Sequence, residues 1–222
     1  MSTVISFRDV HAAYFEELSF EVETGSSTLI VTSGEEEGNC LLGLITGMSM
    51  PSHGSVQIDG QTLSELSPGQ FYPLRQQIGV VPAHGGMISN LKLWENITLT
   101  LLYTTGNISA EVEEYIINRL KQLGYTGNIM AMSAHLSLYE RRAAAFLRAA
   151  ICQPRIMVYD NCFEDISVAS RKVFSAATSA FHGEVPERTS LYLASSREVV
   201  RDVPFDCVID VHEPSEPRGG TP

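Results

Sequence analysis

Apolar and polar residues alternate with a period of two in two stretches near the start of the chain, residues 4–10 (V-I-S-F-R-D-V) and 18–22 (L-S-F-E-V). That period predicts two antiparallel strands with one face on a core. Residues 27–31 then form a short apolar run that reads as a buried strand. A helical run is predicted over 41–48, ending near Gly47, and Pro51 prevents its return. S-V-Q-I-D-G at 55–60 reads as a strand and turn, and I-G-V-V-P at 78–82 as a buried strand without charge. Helical patterning resumes in L-K-L-W-E-N-I-T-L-T-L-L. It recurs over 109–123, where Ser109 is the predicted cap and Val112, Ile116, Leu120 and Leu123 recur on one face. A further helix is predicted over 136–151, a buried strand in R-I-M-V-Y-D, a helix over 168–182, and strands in S-L-Y-L-A-S-S and C-V-I-D-V. The tail from Glu213, rich in proline and glycine, is expected to be loose. Apolar strands alternating with helices predict an α/β fold, a mixed, mostly parallel sheet with helices on its faces.

With 222 residues, 44% of them hydrophobic, the chain suits one large domain, expected over 1–212 with a helical subdomain at about 84–150. Its net charge of -11 lacks the basic stripe of a nucleic-acid surface, and attraction to anionic lipid through bulk charge is excluded with it. The N-terminus shows no signal-peptide pattern and no apolar run is long enough to span a bilayer, so no membrane insertion is expected. Cys40, Cys152, Cys162 and Cys207 have no metal spacing and fit a reducing compartment. His84, His135 and His182 share no ligand spacing either, and are expected at the surface or in loops. No metal site is expected.

Candidate chemistry gathers in V-T-S-G-E-E-E-G-N-C-L-L, residues 31–42. A strand, a glycine-bearing loop and a helix form the layout of a phosphate-binding loop, in which backbone N–H groups face the phosphates. Ser33 stands at the first glycine position, with Gly34 following. Gly38 keeps the second glycine, Asn39 stands at the lysine position and Cys40 at the magnesium-binding hydroxyl. A charge contact at ~4 Å is worth roughly 4 kcal/mol at an effective dielectric near 20. Loss of the lysine removes one such attraction, while Glu35, Glu36 and Glu37, read as a solvated acidic loop, add repulsion. An ordinary strand-turn-helix remains an equal reading of this stretch alone. Tyr14 is expected to cover the sheet as a hairpin residue rather than stack on a base.

The order of motifs resembles the nucleotide-binding subunit of ABC transporters over nearly the whole chain. The matching pieces are the loop and helix at 33–48, P-x-x-G-x-V-x-I-D-G at 51–60, I-G-V-V-P at 78–82, E-N-I at 95–97, L-S at 136–137, R-A at 148–149 and P-R-I-M-V-Y-D at 154–160. In finer detail, G-G-M-I-S-N-L-K-L-W-E-N-I, E-R-R-A-A-A and D-N-C-F resemble the subgroup serving MCE-type lipid transport. The resemblance implies a P-loop NTPase-like ABC ATPase fold. It also implies a place on the cytoplasmic face of the membrane, a membrane permease, a second nucleotide-binding subunit and an MCE-type protein as partners.

Departures from the family pattern fall on its chemistry. Beyond Asn39 and Cys40, the magnesium-sensing glutamine matches Ala83, and the glutamate that polarises water matches Asn161, whose amide is no general base. The histidine after the next strand matches Ser196. The signature L-S-G-G-Q matches Leu136, Ser137, Leu138, Tyr139 and Glu140, with Leu138 and Tyr139 expected at a subunit interface. Asp160 survives, and is expected to bond neighbouring backbone rather than magnesium. Phe71, Met87, Leu91 and Trp94 are candidates for the permease-docking surface. The resemblance so modified implies a non-catalytic subunit without a resident cofactor. A composite ATPase using ATP and magnesium only in the assembled transporter, and a module binding a non-nucleotide ligand, are the alternatives.

Overall fold

A computed structural model of the chain describes residues 2–212, so the tail expected to be loose lies outside the described residues. Two sheets share the molecule. The first is antiparallel, built from β1 (Thr3–Ala12), β2 (Phe15–Glu23), β4 (His53–Ile58) and the two-residue β5 (Gln61–Thr62), in the order β2-β1-β4-β5. The second is parallel, built from β3 (Ser27–Val31), β6 (Ile78–Val81), β7 (Ile156–Asp160), β8 (Thr189–Ala194) and β9 (Cys207–Asp210), in the order β6-β7-β8-β3-β9. Among the described residues six α-helices connect them: α1 (Glu35–Ile45), α2 (Pro68–Arg75), α3 (Leu93–Thr105), α4 (Ala110–Gln122), α5 (Leu138–Ala150) and α6 (Val168–Gly183). Among the described residues, no helix is long and apolar enough to cross a membrane.

Strand periodicity explains the continuous apolar runs of the central strands. Successive side chains leave opposite faces of a sheet. Ile156, Val158, Leu191, Leu193 and Ile30 face the core shared with the antiparallel sheet and α1. Met157, Tyr159, Tyr192, Ala194 and Leu29 face the core shared with α3, α4, α5 and α6. Both faces are covered, so neither needs polar residues. Ile78–Val81 was expected to be buried throughout; it alternates between buried and half-buried because it is the edge strand. A Cβ on Gly79 would stand 2.7 Å from Met157 and 2.8 Å from Pro154, so glycine allows the strand to pack closely there.

Helix ends follow local chemistry. Ser109 accepts from the Val112 N–H and Ser137 from the Glu140 N–H. Ile116, Leu120 and Leu123 are buried, as the stripe on α4 predicts. Helix α2 was not anticipated; Ser67 and Gln70 form its capping box, with Pro68 in the first turn. His182 was expected at the surface, yet it is half-buried in the last turn of α6, with Nδ1 3.0 Å from Ser190 Oγ. Burial pushes its pKa down.

Candidate functional site, a cleft closed by its own carboxylates

The C-terminal ends of β3, β6, β7 and β8 lie along one side of the parallel sheet, the usual ligand side of an open α/β sheet. Thr32 N–H donates to Ala194 O at 3.0 Å, which ties the loop after β3 to β8. Helix α1 begins immediately afterwards, at Glu35. The three glutamates therefore form its first turn, where acidic side chains meet the positive end of the helix dipole. Glu35 and Glu36 are exposed, as a solvated acidic stretch predicts, but they belong to the helix, which starts well before the expected Leu41, and Glu37 is buried. The Gly38 N–H donates to Gly34 O at 3.0 Å, an ordinary helical bond, and is not left facing a phosphate. A Cβ on Gly38 would lie 2.6 Å from Asn161 Nδ2, so the amide would have to shift to admit one.

Each glutamate is claimed by a different part of the chain. Tyr14, 49% exposed in the β1–β2 turn, donates its hydroxyl to Glu36 Oε2 at 2.9 Å, so it reaches over α1 and does not cover the sheet. That hydrogen bond raises the phenol pKa. His84, in the loop after β6, pairs with Glu35 at 3.0 Å. Glu37 is only 3% exposed, and its Oε2 accepts from the Ser33 N–H at 2.5 Å and pairs with His212 Nε2 at 3.0 Å. The backbone N–H that would face an anion at the start of this loop thus holds a carboxylate of its own chain. Among the described residues, no lysine or arginine pairs with any of the three.

The remaining predicted positions gather around this turn. Asp160 ends β7 and accepts from Asn161 Nδ2 at 3.0 Å. Burial pushes its pKa up, opposed by the Asn161 amide and the Ala83 backbone. Asn161 takes a left-handed backbone with φ 45°, a conformation asparagine tolerates better than most residues. Ala83 is buried, and its carbonyl accepts from Arg142 Nε at 2.5 Å, while the same guanidinium donates to Glu164 O. Arg142, 2% exposed, thereby fixes the loops on both sides of the cleft. Glu164 accepts from Ser195 Oγ at 2.6 Å, beside Ser196, which makes none of these contacts. Cys40 is half-buried, and burial is the main cause that raises its thiol pKa.

The signature positions lie apart, at the start of α5. No hydrogen bond or ion pair among the described residues joins 136–140 to 33–40. Glu140 accepts from both the N–H and the hydroxyl of Ser137, at 2.8 and 2.7 Å. Leu136 is half-buried against the helical core. Tyr139, a candidate interface residue, is partly buried against the helical core of its own chain. Its hydroxyl donates to Leu123 O at 2.8 Å, its ring meets Phe174 edge-on, and burial raises its pKa to about 12. Leu138 is half-buried in the first turn. Of the docking candidates, Met87 and Trp94 pack against the core beside the helices and Phe71 against the core between the sheets; Leu91 is half-buried in the loop before α3. None of the four lines a groove of about 500 Å³ that lies between α2, β6, α3 and α5 and is walled by residues including Tyr72, Arg75, Leu101, Tyr103 and Arg148.

The Ser33 N–H and the Gly38 N–H are already engaged, a buried carboxylate occupies the loop, and the side chains at 39 and 40 supply neither an ammonium nor a hydroxyl. Sequence reasoning missed the four contacts that close the cleft. Only one signal was available for them: acidic residues directly after a glycine mark a helix first turn as readily as a loop.

Comparison with known proteins agrees with the architecture. Residues 15–164 match the family described as ABC transporter. The chain is similar to the intermembrane phospholipid transport system ATP-binding protein MlaF of Haemophilus influenzae, 24% identical over 159 residues, covering 72% of this chain and 60% of that protein. It thus spans only about 60% of that relative's length. Among solved structures, an ATP-binding cassette captured as a dimer after hydrolysis with ADP and Pi superposes with a TM-score of 0.78 at 18% identity, covering 97% of this chain and 100% of the other. The cbiO1 protein of Clostridium perfringens, part of the ABC transporter complex cbiONQ, superposes with a TM-score of 0.73 at 14% identity, covering 90% and 81%. The two-sheet cassette, the loop-helix at its cleft and the matched segment together place this chain in the ABC transporter family.

Proposed function

We propose that the chain is a non-catalytic cassette subunit, a pseudo-ATPase. It sits on the cytoplasmic face of a membrane transporter, docks a permease and pairs with a second nucleotide-binding subunit. The observation that carries this reading is the buried Glu37 carboxylate bound to the Ser33 N–H. An incoming phosphate must displace a charge already held there, and it gains no lysine in exchange. Asn161, at the position of the catalytic glutamate, supports the same reading, because an amide cannot take a proton from water. Similarity to MlaF supports envelope phospholipid transport as the setting, with an MCE-type protein as a further partner.

Calorimetric titration of Mg-ATP into the chain tests the proposal. The expected result is no binding up to millimolar nucleotide at near-physiological salt. Micromolar binding would overturn it and favour a composite ATPase, in which Asp160 and Ser137 contribute to a site completed by the partner subunit.

A further inference from the structure

Strand β6 is an edge of the parallel sheet, and a groove of about 500 Å³ lies beside it, between α2, α3 and α5. That volume falls within the range of small-molecule sites, about 300–1,000 Å³. Ile78, Val80, Leu101 and Pro154 give it apolar walls, and Tyr72 and Tyr103, 54% and 82% exposed, add aromatic surface open to solvent. Its full charges are of one sign. Acidic residues outnumber lysine and arginine by 26 to 15 in the chain, yet the groove is lined by Arg75 and Arg148 and by no aspartate or glutamate. Neither arginine forms an ion pair among the described residues. Arg75 makes a long bond to Thr46 O at 3.4 Å and touches Met48 Sδ at 3.2 Å. Arg148 donates to Gly86 O at 2.9 Å and Gly85 O at 3.4 Å, carbonyls that hold it in place but carry no full charge. Burial pushes the Arg148 pKa down, a cost that a neighbouring anion offsets. The last turns of α2, α3 and α5 also border the groove. Three helix ends of about half a negative charge each do not cancel two full cations.

We propose that this groove binds a small amphiphilic anion, whose carboxylate or phosphate head pairs with Arg75 and Arg148 and whose apolar body lies against β6 and the two tyrosines. A guanidinium presents a planar fork that matches either oxyanion. The apolar walls supply the remaining affinity by removing hydrocarbon from water. None of the permease-docking candidates lines this groove, and the site is independent of whether the cleft admits Mg-ATP.

Amide NMR titration of the full chain tests it. Decanoate and decyl phosphate are the probes, each kept below its aggregation limit, and decyltrimethylammonium is the cationic control. At least one anion is expected to shift the amides of Gly79, Leu101 and Thr104 in a saturable way, while the cationic control leaves them in place. R75Q and R148Q are each expected to weaken that binding about tenfold, the scale of one lost charge-assisted bond. Arg148 also holds the loop after β6, so undisturbed amide positions over β7 and β8 check that its variant is folded. R75Q removes weaker contacts and decides alone if R148Q unfolds. Saturation by decanoate alone identifies a carboxylic acid as the ligand class, saturation by decyl phosphate alone a phosphate-headed lipid, and saturation by both a site that takes either head. No saturable shift with either anion overturns the proposal and leaves the groove to a protein segment. Equal binding of the cationic control overturns it too, as does unchanged affinity in a folded variant.

Discussion

Glu37→Ala sets two large effects against each other. Burying a carboxylate costs several kcal/mol after relaxation. Against this stand a charge-assisted hydrogen bond, worth ~1.5–3 kcal/mol, a place at the helix N-terminus, worth ~0.3–1 kcal/mol, and a half-exposed imidazole partner, worth ~0–1 kcal/mol after solvent screening. Alanine removes the burial cost together with the contacts. It also takes the acceptor from the Ser33 N–H, which now donates at 2.5 Å in a part-buried bond. Loss of this charge-assisted bond and of the helix-terminus interaction decides the sign, so Glu37→Ala is expected to destabilise by about 2–3 kcal/mol at pH 7. Glu37→Gln keeps an acceptor for Ser33 and loses under about 1 kcal/mol. In urea unfolding, with a slope near 2–3 kcal/mol/M, the alanine midpoint falls by about 1 M. An alanine variant as stable as the wild type would refute the reasoning, because Glu37 would then be tolerated in the loop and not hold it.

Three further outcomes are expected. Arg188 is 2% exposed; it donates to Pro154 O and Phe181 O, bonds Gln153 Oε1 at 2.7 Å and stacks 3.6 Å from the centre of the Phe181 ring. Arg188→Lys cannot reproduce that planar fork and should lower Tm by roughly 5–10 °C, measured by scanning calorimetry. Asp160→Asn should raise stability relative to the wild type at pH 7. Burial raises the Asp160 pKa, so the native state holds the extra proton and loses stability as pH rises through that window. The advantage of the variant should shrink toward pH 4, and paired melting curves would show it. Asn39→Lys should produce no ATP turnover in a phosphate-release assay, because Glu37 still fills the loop and Asn161 still lacks a base.

Much of the architecture was legible because periodicity and caps act locally. The runs around Ile30, Val158 and Leu191 have no polar face, which required a sheet covered on both sides. Ser109 and Ser137 marked helix starts by their own hydrogen bonds. Tyr139 could have been placed as well: it lies four residues before Ala143 and seven before Phe146, on the face of α5 that is buried. Helix α2 was obscured by Gly69 and Pro73, although Ser67, Pro68 and Gln70 carried a start signal. The cleft was harder to read. Successive residues of a helical turn point about 100° apart, so Glu35, Glu36 and Glu37 face three different neighbours. Those neighbours come from positions 14, 84 and 212, and only the topology brings them together. Composition gave no sign that Glu37, unlike Glu35 and Glu36, would be buried.

The alternation of strand residues between two cores has a mutational consequence. The turn at 32–37 and positions 83, 161 and 196 lie past the last residue of β3, β6, β7 and β8. Apart from Asp160, which closes β7, the groups that would do chemistry are separate from the strand residues that hold the layers together. Mutations at those strand ends leave the strand register untouched, although Thr32, Glu37, Ala83 and Asn161 are themselves buried. The loops past the strand ends can therefore take up contacts such as those of Glu37 while the alternation of the strands between the two cores stays as it is.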